Sequence, residues 1–201
     1  MTRNVGRRIE SLQTRIDESE DLCSDDRDAL RAFDNRLALL GSQYGKERRE
    51  KLLRHCVRMA ENVGGLADSL EDRQAAESIV RWIHDTYENE ESNRDYRVAL
   101  RMFGKHVSDG DEIPDSISWV SATTSKDYNP MPDPAKMLWW EDDVKPMLDE
   151  CRHARDKALI AVSWDSGARS GELRNLTVGD VSDHKYGMRI SVDGKKGERS
   201  I

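Results

Sequence analysis

Hydrophobic residues recur at three- and four-residue spacing through the first half of the chain, and no alternating stretch of useful length interrupts them between residues 8 and 108. That half therefore reads as helix after helix with polar breaks. Behind Ser24, in DDRDALRAFDNRLALLG, Leu30, Phe33, Leu37 and Leu40 form a stripe, acids crowd the N-terminal end and Gly41 supplies a stop. In KERREKLLRHCVRMAENVGG the stripe is Leu52, Leu53, Cys56, Met59 and Ala60, closed by Gly64 and Gly65. A third helix is predicted from about Ser69 to Glu88 on Ala76, Ile79, Val80, Ile83 and Tyr87. A fourth starts at an N-cap Ser92 and carries Tyr96, Ala99, Leu100 and Phe103 interleaved with Arg94, Arg97, Arg101 and Lys105.

The pattern fails from Ser108 to Pro134, where Gly110, Pro114, Pro130, Pro132 and Pro134 mark a linker. Beyond it, EDDVKPMLDECRH puts Val144, Leu148 and Cys151 on one stripe, with Pro146 in the first turn or at a kink. The run from Ala158 to Trp164, closed by Gly167, predicts a helix buried within a domain, and SGELRNL a short helix. MRISV, a glycine-containing turn at 193–197 and ERSI predict a β-hairpin. The boundaries are a helical domain at 1–110, a linker at 111–134 and a second domain at 135–201.

Composition narrows the class. The chain has 201 residues, 36% of them hydrophobic and 35% charged, and a mean hydropathy of -0.82. It lacks any apolar run near the ~20 residues of a membrane helix. MTRNVGRRIE has no apolar stretch behind its basic residues, so the expected address is cytoplasmic, away from membranes. Cys23, Cys56 and Cys151 are odd in number and far apart, which predicts reduced, buried thiols with neither a disulfide framework nor a zinc site. The net charge of -7 taken alone argues against a polyanionic partner. Charge is unevenly distributed, however, and arginine clusters lie on individual helices.

The most informative string is DSGARSGELRNLTVGDV, Asp165 to Val181, followed by VDGKKGERSI. It resembles the tyrosine recombinase family, which includes phage integrases and Xer-type recombinases. Gly167, Ala168, Arg169, Glu172, Leu173 and Leu176 stand where that family has a helix-ending glycine, a catalytic arginine and a Glu-Leu pair. Gly194 and Lys195 stand in the hairpin turn that carries the family's lysine. Upstream, SNRDYRVALRMFGKHV is similar to the last helix of the family's core-binding domain. The resemblance runs from about Ser24 to Ile201 and is strongest to archaeal integrases.

That resemblance implies a mainly α fold with a small β-hairpin: a helical, SAM-like core-binding domain followed by the N-terminal part of an α+β catalytic domain. It implies site-specific DNA recombination and integration, with duplex DNA as partner, further recombinase protomers in a synaptic complex, and no cofactor or metal. In the family a tyrosine oxygen attacks the scissile phosphate and keeps the bond energy as a phosphotyrosyl link. Charge builds on the non-bridging oxygens, and a planar guanidinium can hold two of them as a fork, the role implied for Arg169. Lys195 would donate a proton to the leaving oxygen, with Lys196 the near alternative. Glu172 is expected to hold local backbone or the arginine loop. Arg48, Arg49, Arg94, Arg97, Lys105 and Lys196 are the candidate DNA contacts.

Each residue type also has a plainer reading. An arginine just past a helix-ending glycine can serve as a charge partner, a turn lysine can be solvated, and basic helix faces can be laced by i,i+4 ion pairs. Trp139 and Trp140 are expected to cover the edge of a core. The family's His-x-x-Arg motif and nucleophilic tyrosine have no counterpart, since Tyr44, Tyr87, Tyr96, Tyr128 and Tyr186 match no nucleophile position. The expectation is a fragment truncated before that tyrosine, unable to cleave DNA, with apolar surface exposed around residues 155–176. The alternative function is a non-catalytic duplex-DNA-binding regulator or mobile-element remnant, and a third is a helical interaction module whose arginines serve solubility.

Overall fold

A computed structural model describes residues 4–108, 112–131, 133–194 and 197–200. It is mainly helical, with antiparallel strands at its C-terminal end, and it divides into two units between Asn129 and Pro130. None of its described helices is long and apolar enough to cross a membrane.

The first unit is built from α1 (Val5–Glu18), α2 (Ser24–Leu39), α3 (Lys46–Val63), α4 (Arg73–Thr86), α5 (Glu90–Val107) and the single turn α6 (Asp115–Ser118). The predicted stripes face inward: Leu30, Phe33, Leu37, Leu52, Leu53, Met59, Ile79, Ile83, Leu100 and Phe103 are all fully buried in one cluster. Phe33 and Phe103 meet edge to face at 5.5 Å, an arrangement that places the positive ring edge on the negative ring face. Gly64, at φ +74°, ends α3 in a conformation that a Cβ would strain.

Two boundaries differ from the sequence expectation because of capping. Ser69 lies in a separate 3-10 turn, and α4 begins after Asp72, whose carboxylate accepts from the Gln74 N–H at 2.8 Å. In the same way, Asn89 caps α5 three residues before Ser92, accepting the Ser92 N–H at 2.9 Å. The predicted linker is also partly structured. Ile117 and Val120 enter the first unit's core, and Gly104 permits this approach. A Cβ there would stand 3.0 Å from Ile117 Cδ1 and 3.1 Å from Pro114 Cδ. Of the three thiols only Cys56 is buried; Cys23 is exposed and caps α2, and Cys151 is half-buried.

The second unit holds α7 (Lys145–Glu150), α8 (Ala154–Ser166), α9 (Ser170–Asn175) and strands β1 (Val181–His184), β2 (Gly187–Gly194) and β3 (Gly197–Ser200), ordered β1-β2-β3 and antiparallel throughout. Pro146 does lie in the first turn of α7, and the turn before it opens to five-residue spacing, with the Val144 N–H donating to Trp139 O. The hairpin forms in the register Val192 with Arg199 and Gly194 with Gly197. Strand β1 escaped sequence analysis because VSDH has one apolar residue in four. Helix α8 forms but is not the buried helix expected of its apolar run: it contains no buried residue, and Leu159 and Trp164 are about half exposed, in line with the apolar exposure expected around residues 155–176. The described residues of this unit that are buried are Val144, Glu172 and Val192.

A histidine in the first unit makes stability depend on pH. His55 is buried on α3 against Tyr96, ring centroids 4.1 Å apart, and both its ring nitrogens lack hydrogen-bond partners. Burial first, and then Arg54 and Lys51, lower its pKa from 6.5 to about 4. Folding therefore disfavours the imidazolium. Stability is intact above pH 6.5 and is lost as pH falls toward 4, by about 3 kcal/mol at most for a 2.5-unit difference. Urea unfolding at pH 7, 5.5 and 4.5 is expected to follow that loss, and His55→Leu to flatten this component.

Candidate functional site

The turn that presents Arg169 follows from two local rules. Helix α8 stops at Gly167, which takes the left-handed conformation at φ +58° and donates its N–H to Ser163 O at 3.1 Å. Ser166 Oγ then accepts the Ala168 N–H at 3.1 Å, which carries the chain to Arg169 at the N-cap of α9. Glu172, one turn into α9, reaches back: its Oε2 accepts the Arg169 backbone N–H at 2.8 Å, and its Oε1 accepts from Arg169 Nη1 at 3.2 Å. This is the carboxylate half of a capping box.

The two partners differ sharply in exposure. The Glu172 side chain is 5% exposed and that of Arg169 74% exposed. The carboxylate is thus a buried anchor. The guanidinium stands in solvent with one of its donors engaged, and its remaining donors face no described partner. Glu172 accordingly holds both the backbone and the head group of Arg169. Lys195 and Lys196 lie outside the described residues, between the paired Gly194 and Gly197.

The candidate contacts of the first unit separate into two kinds. Arg49 forms a bidentate pair with Asp34, at 2.7 and 2.8 Å, and Gln13 donates to the same buried carboxylate at 2.7 Å. Arg97 is itself buried: Nε donates to Asn93 Oδ1 at 2.9 Å, Nη1 to Ser121 O at 2.6 Å and Nη2 to Thr123 O at 2.9 Å. Burial lowers its pKa, the expected direction for a cation leaving water. The donors of these two arginines already face protein acceptors, so both serve the fold. Arg48 and Lys105 are half-buried and have no ion pair among the described residues. Arg94 is 42% exposed and lies 3.8 Å from Asp95.

A second cationic group includes Lys51 and Arg54 from the basic N-terminal half of α3, and adds Arg58, which sequence reasoning did not name. Lys51, Arg54 and Arg58 share one edge of α3, with Arg54 and Arg58 exposed. Their spacing of three and four was the available signal. In the second unit, where apolar surface was expected around residues 155–176, a cleft of about 530 Å³ is lined by Trp140, Ala161, Val162, Trp164, Met188 and Ile190, with Asp165 and Ser166 beside them. Trp140 and Trp164 meet there at 6.0 Å. Trp139 is 65% exposed and covers no core. Among the described residues, no three His, Cys, Asp or Glu side chains gather closely enough to hold a metal.

Compared with protein-family models, with curated proteins and with solved structures, the chain finds no match.

The two kinds of arginine should separate on truncation. Arg97→Ala leaves two backbone carbonyls and an amide oxygen without their donors, and Arg49→Ala leaves a buried carboxylate without its cation. Each is expected to cost about 2–4 kcal/mol in chemical denaturation. Arg48→Ala is expected to change stability by less than ~0.5 kcal/mol.

Proposed function

We propose that the chain is a duplex-DNA-binding protein of the tyrosine recombinase type. In this reading the first unit is the SAM-like core-binding domain, and the second is the N-terminal part of the catalytic domain. The observation that carries it is the presentation of Arg169: a solvent-exposed guanidinium, fixed from one side by a buried glutamate, at the turn where the family motif requires a phosphate ligand. A free side chain of this length would lose rotamer entropy on meeting an anion. The Glu172 contact removes part of that cost before binding and leaves the fork geometry available to two phosphate oxygens.

Within this reading Arg169 holds oxygens of a duplex phosphate with its guanidinium, and Glu172 is a positioning residue. Lys195, between Gly194 and Gly197 in the sequence, stands at the position of the family's proton-donating lysine, and with no nucleophile assigned here it serves as a further phosphate contact. Arg48, Arg94 and Lys105 add phosphate contacts that set the register of the first unit on the duplex. No tyrosine among these residues is assigned as nucleophile. The alternative, a non-catalytic duplex-binding regulator, shares every element except the chemical step.

Duplex DNA of mixed sequence, titrated by fluorescence anisotropy between 50 and 200 mM salt, provides the test. The chain is expected to bind with an affinity that falls steeply with salt, and Arg169→Ala to weaken it about 3- to 10-fold, with Arg169→Lys in between. Absence of salt-dependent binding would eliminate both DNA readings. A nicked suicide duplex is expected to give no covalent adduct; an adduct would reassign one of the tyrosines and remove the regulator alternative.

A further inference from the structure

Helix α3 carries three cations along one edge. Lys51, Arg54 and Arg58 are separated by three and four residues, so they stand above one another over two turns. From Lys51 to Arg58 the helix rises about 10 Å, about three phosphate-to-phosphate spacings along one strand of a duplex. Arg94, in the second turn of α5, extends the strip, because it and Lys51 approach the same carboxylate, Asp95.

The counter-charges of this strip lie beneath it. Glu50 is 8% exposed and stands 3.7 Å from Arg54, beyond hydrogen-bond distance, while it is also 3.8 Å from Arg8. Asp95 is 22% exposed, against 36% for Lys51, 42% for Arg94 and 48% for Arg54. The Arg58 side chain has no ion pair among the described residues. Arg54 and Arg58 thus stand outward over the buried Glu50, while Lys51 and Arg94 are half-buried beside Asp95, to which Lys51 donates. Glu47, a turn before Lys51, bounds the strip at one end. Underneath lies the apolar and aromatic layer of His55, Tyr96 and Tyr87, with Tyr87 stacked on Tyr96 at 4.3 Å. Burial first, then Arg54, Lys51 and Arg58, disfavour the charged form of His55, while Asp95 opposes them.

We propose that the α3 edge formed by Lys51, Arg54 and Arg58, extended by Arg94, is the surface of the first unit that tracks the phosphate backbone of a duplex. The assignment rests on the DNA reading above and moves the main contact from Arg49 and Arg97 to the strip led by the exposed Arg54 and Arg58, with Lys51, which donates to Asp95, at its end. A cation-lined helix edge over a low-dielectric layer neutralises several phosphates at once and releases their counterions. It contributes affinity without sequence preference, since it reaches no base edge.

The test uses the full chain and a labelled duplex of mixed sequence. Arg54→Gln/Arg58→Gln removes two exposed charges and keeps the helix-forming tendency of α3. It is expected to lower affinity at least tenfold at 100 mM salt and to reduce the slope of log K against log salt by about 2. Arg54→Lys/Arg58→Lys, which keeps both charges, is expected to retain the wild-type slope, and circular dichroism to show wild-type helix content in both variants. Wild-type affinity and slope in the Gln variant would overturn the assignment while leaving duplex binding intact. Wild-type chain that binds no duplex at 50 mM salt would overturn the DNA reading itself.

Discussion

Arginine donors occupied by backbone carbonyls hold the first unit together at its loops. Arg27 donates to Ile16 O, Ser19 O and Leu22 O, tying the end of α1 and the following loop to α2. Arg97 and Arg101 on α5 take the carbonyls of Ser118, Val120, Ser121 and Thr123. Helix ends and irregular segments leave carbonyls that no helix satisfies, and a guanidinium with five donors in a fixed fork can take two or three of them at once. The segment after α6 is held on the helices by this means, together with Ile117 and Val120 in the core.

The same constraint governs which basic residues are available for a ligand. A guanidinium engaged with two carbonyls, as in Arg97, or with a buried carboxylate, as in Arg49, cannot turn to a phosphate without leaving those acceptors unpaired. Arg49 and Arg97 are therefore fixtures of the fold, although they lie on helices as rich in cations as any other. Arg169 is the opposite case: its partner Glu172 binds the backbone first and the guanidinium second, so the head group is steadied but not consumed. The α3 edge follows the same logic, with its carboxylates sunk and its cations outward.

The two units differ in how far they bury what they contain. The first encloses a continuous cluster from Leu12 to Val120. In the second, α8 presents apolar residues to an open cleft, and the aromatic pair Trp140 and Trp164 stands at its wall. The Gly167 turn and the Glu172 anchor form all the same, because both are local: one is a left-handed glycine and the other a carboxylate three residues from the amide it accepts.

What the sequence by itself determined is what depends on neighbours along the chain. Stripes such as Leu30, Phe33 and Leu37, the glycine stops at Gly64 and Gly167, the Pro146 turn and the hairpin ending in Gly194 and Gly197 each follow from residues within a few positions of one another. The Arg169–Glu172 contact is legible for the same reason. The tertiary structure alone decided the pairings across long separations: Arg49 with Asp34, Arg97 with Thr123, Tyr44 with His106. Periodicity places a residue on a face but does not say which partner meets it there. A free cation and a structural one therefore look alike until the acceptors are in place.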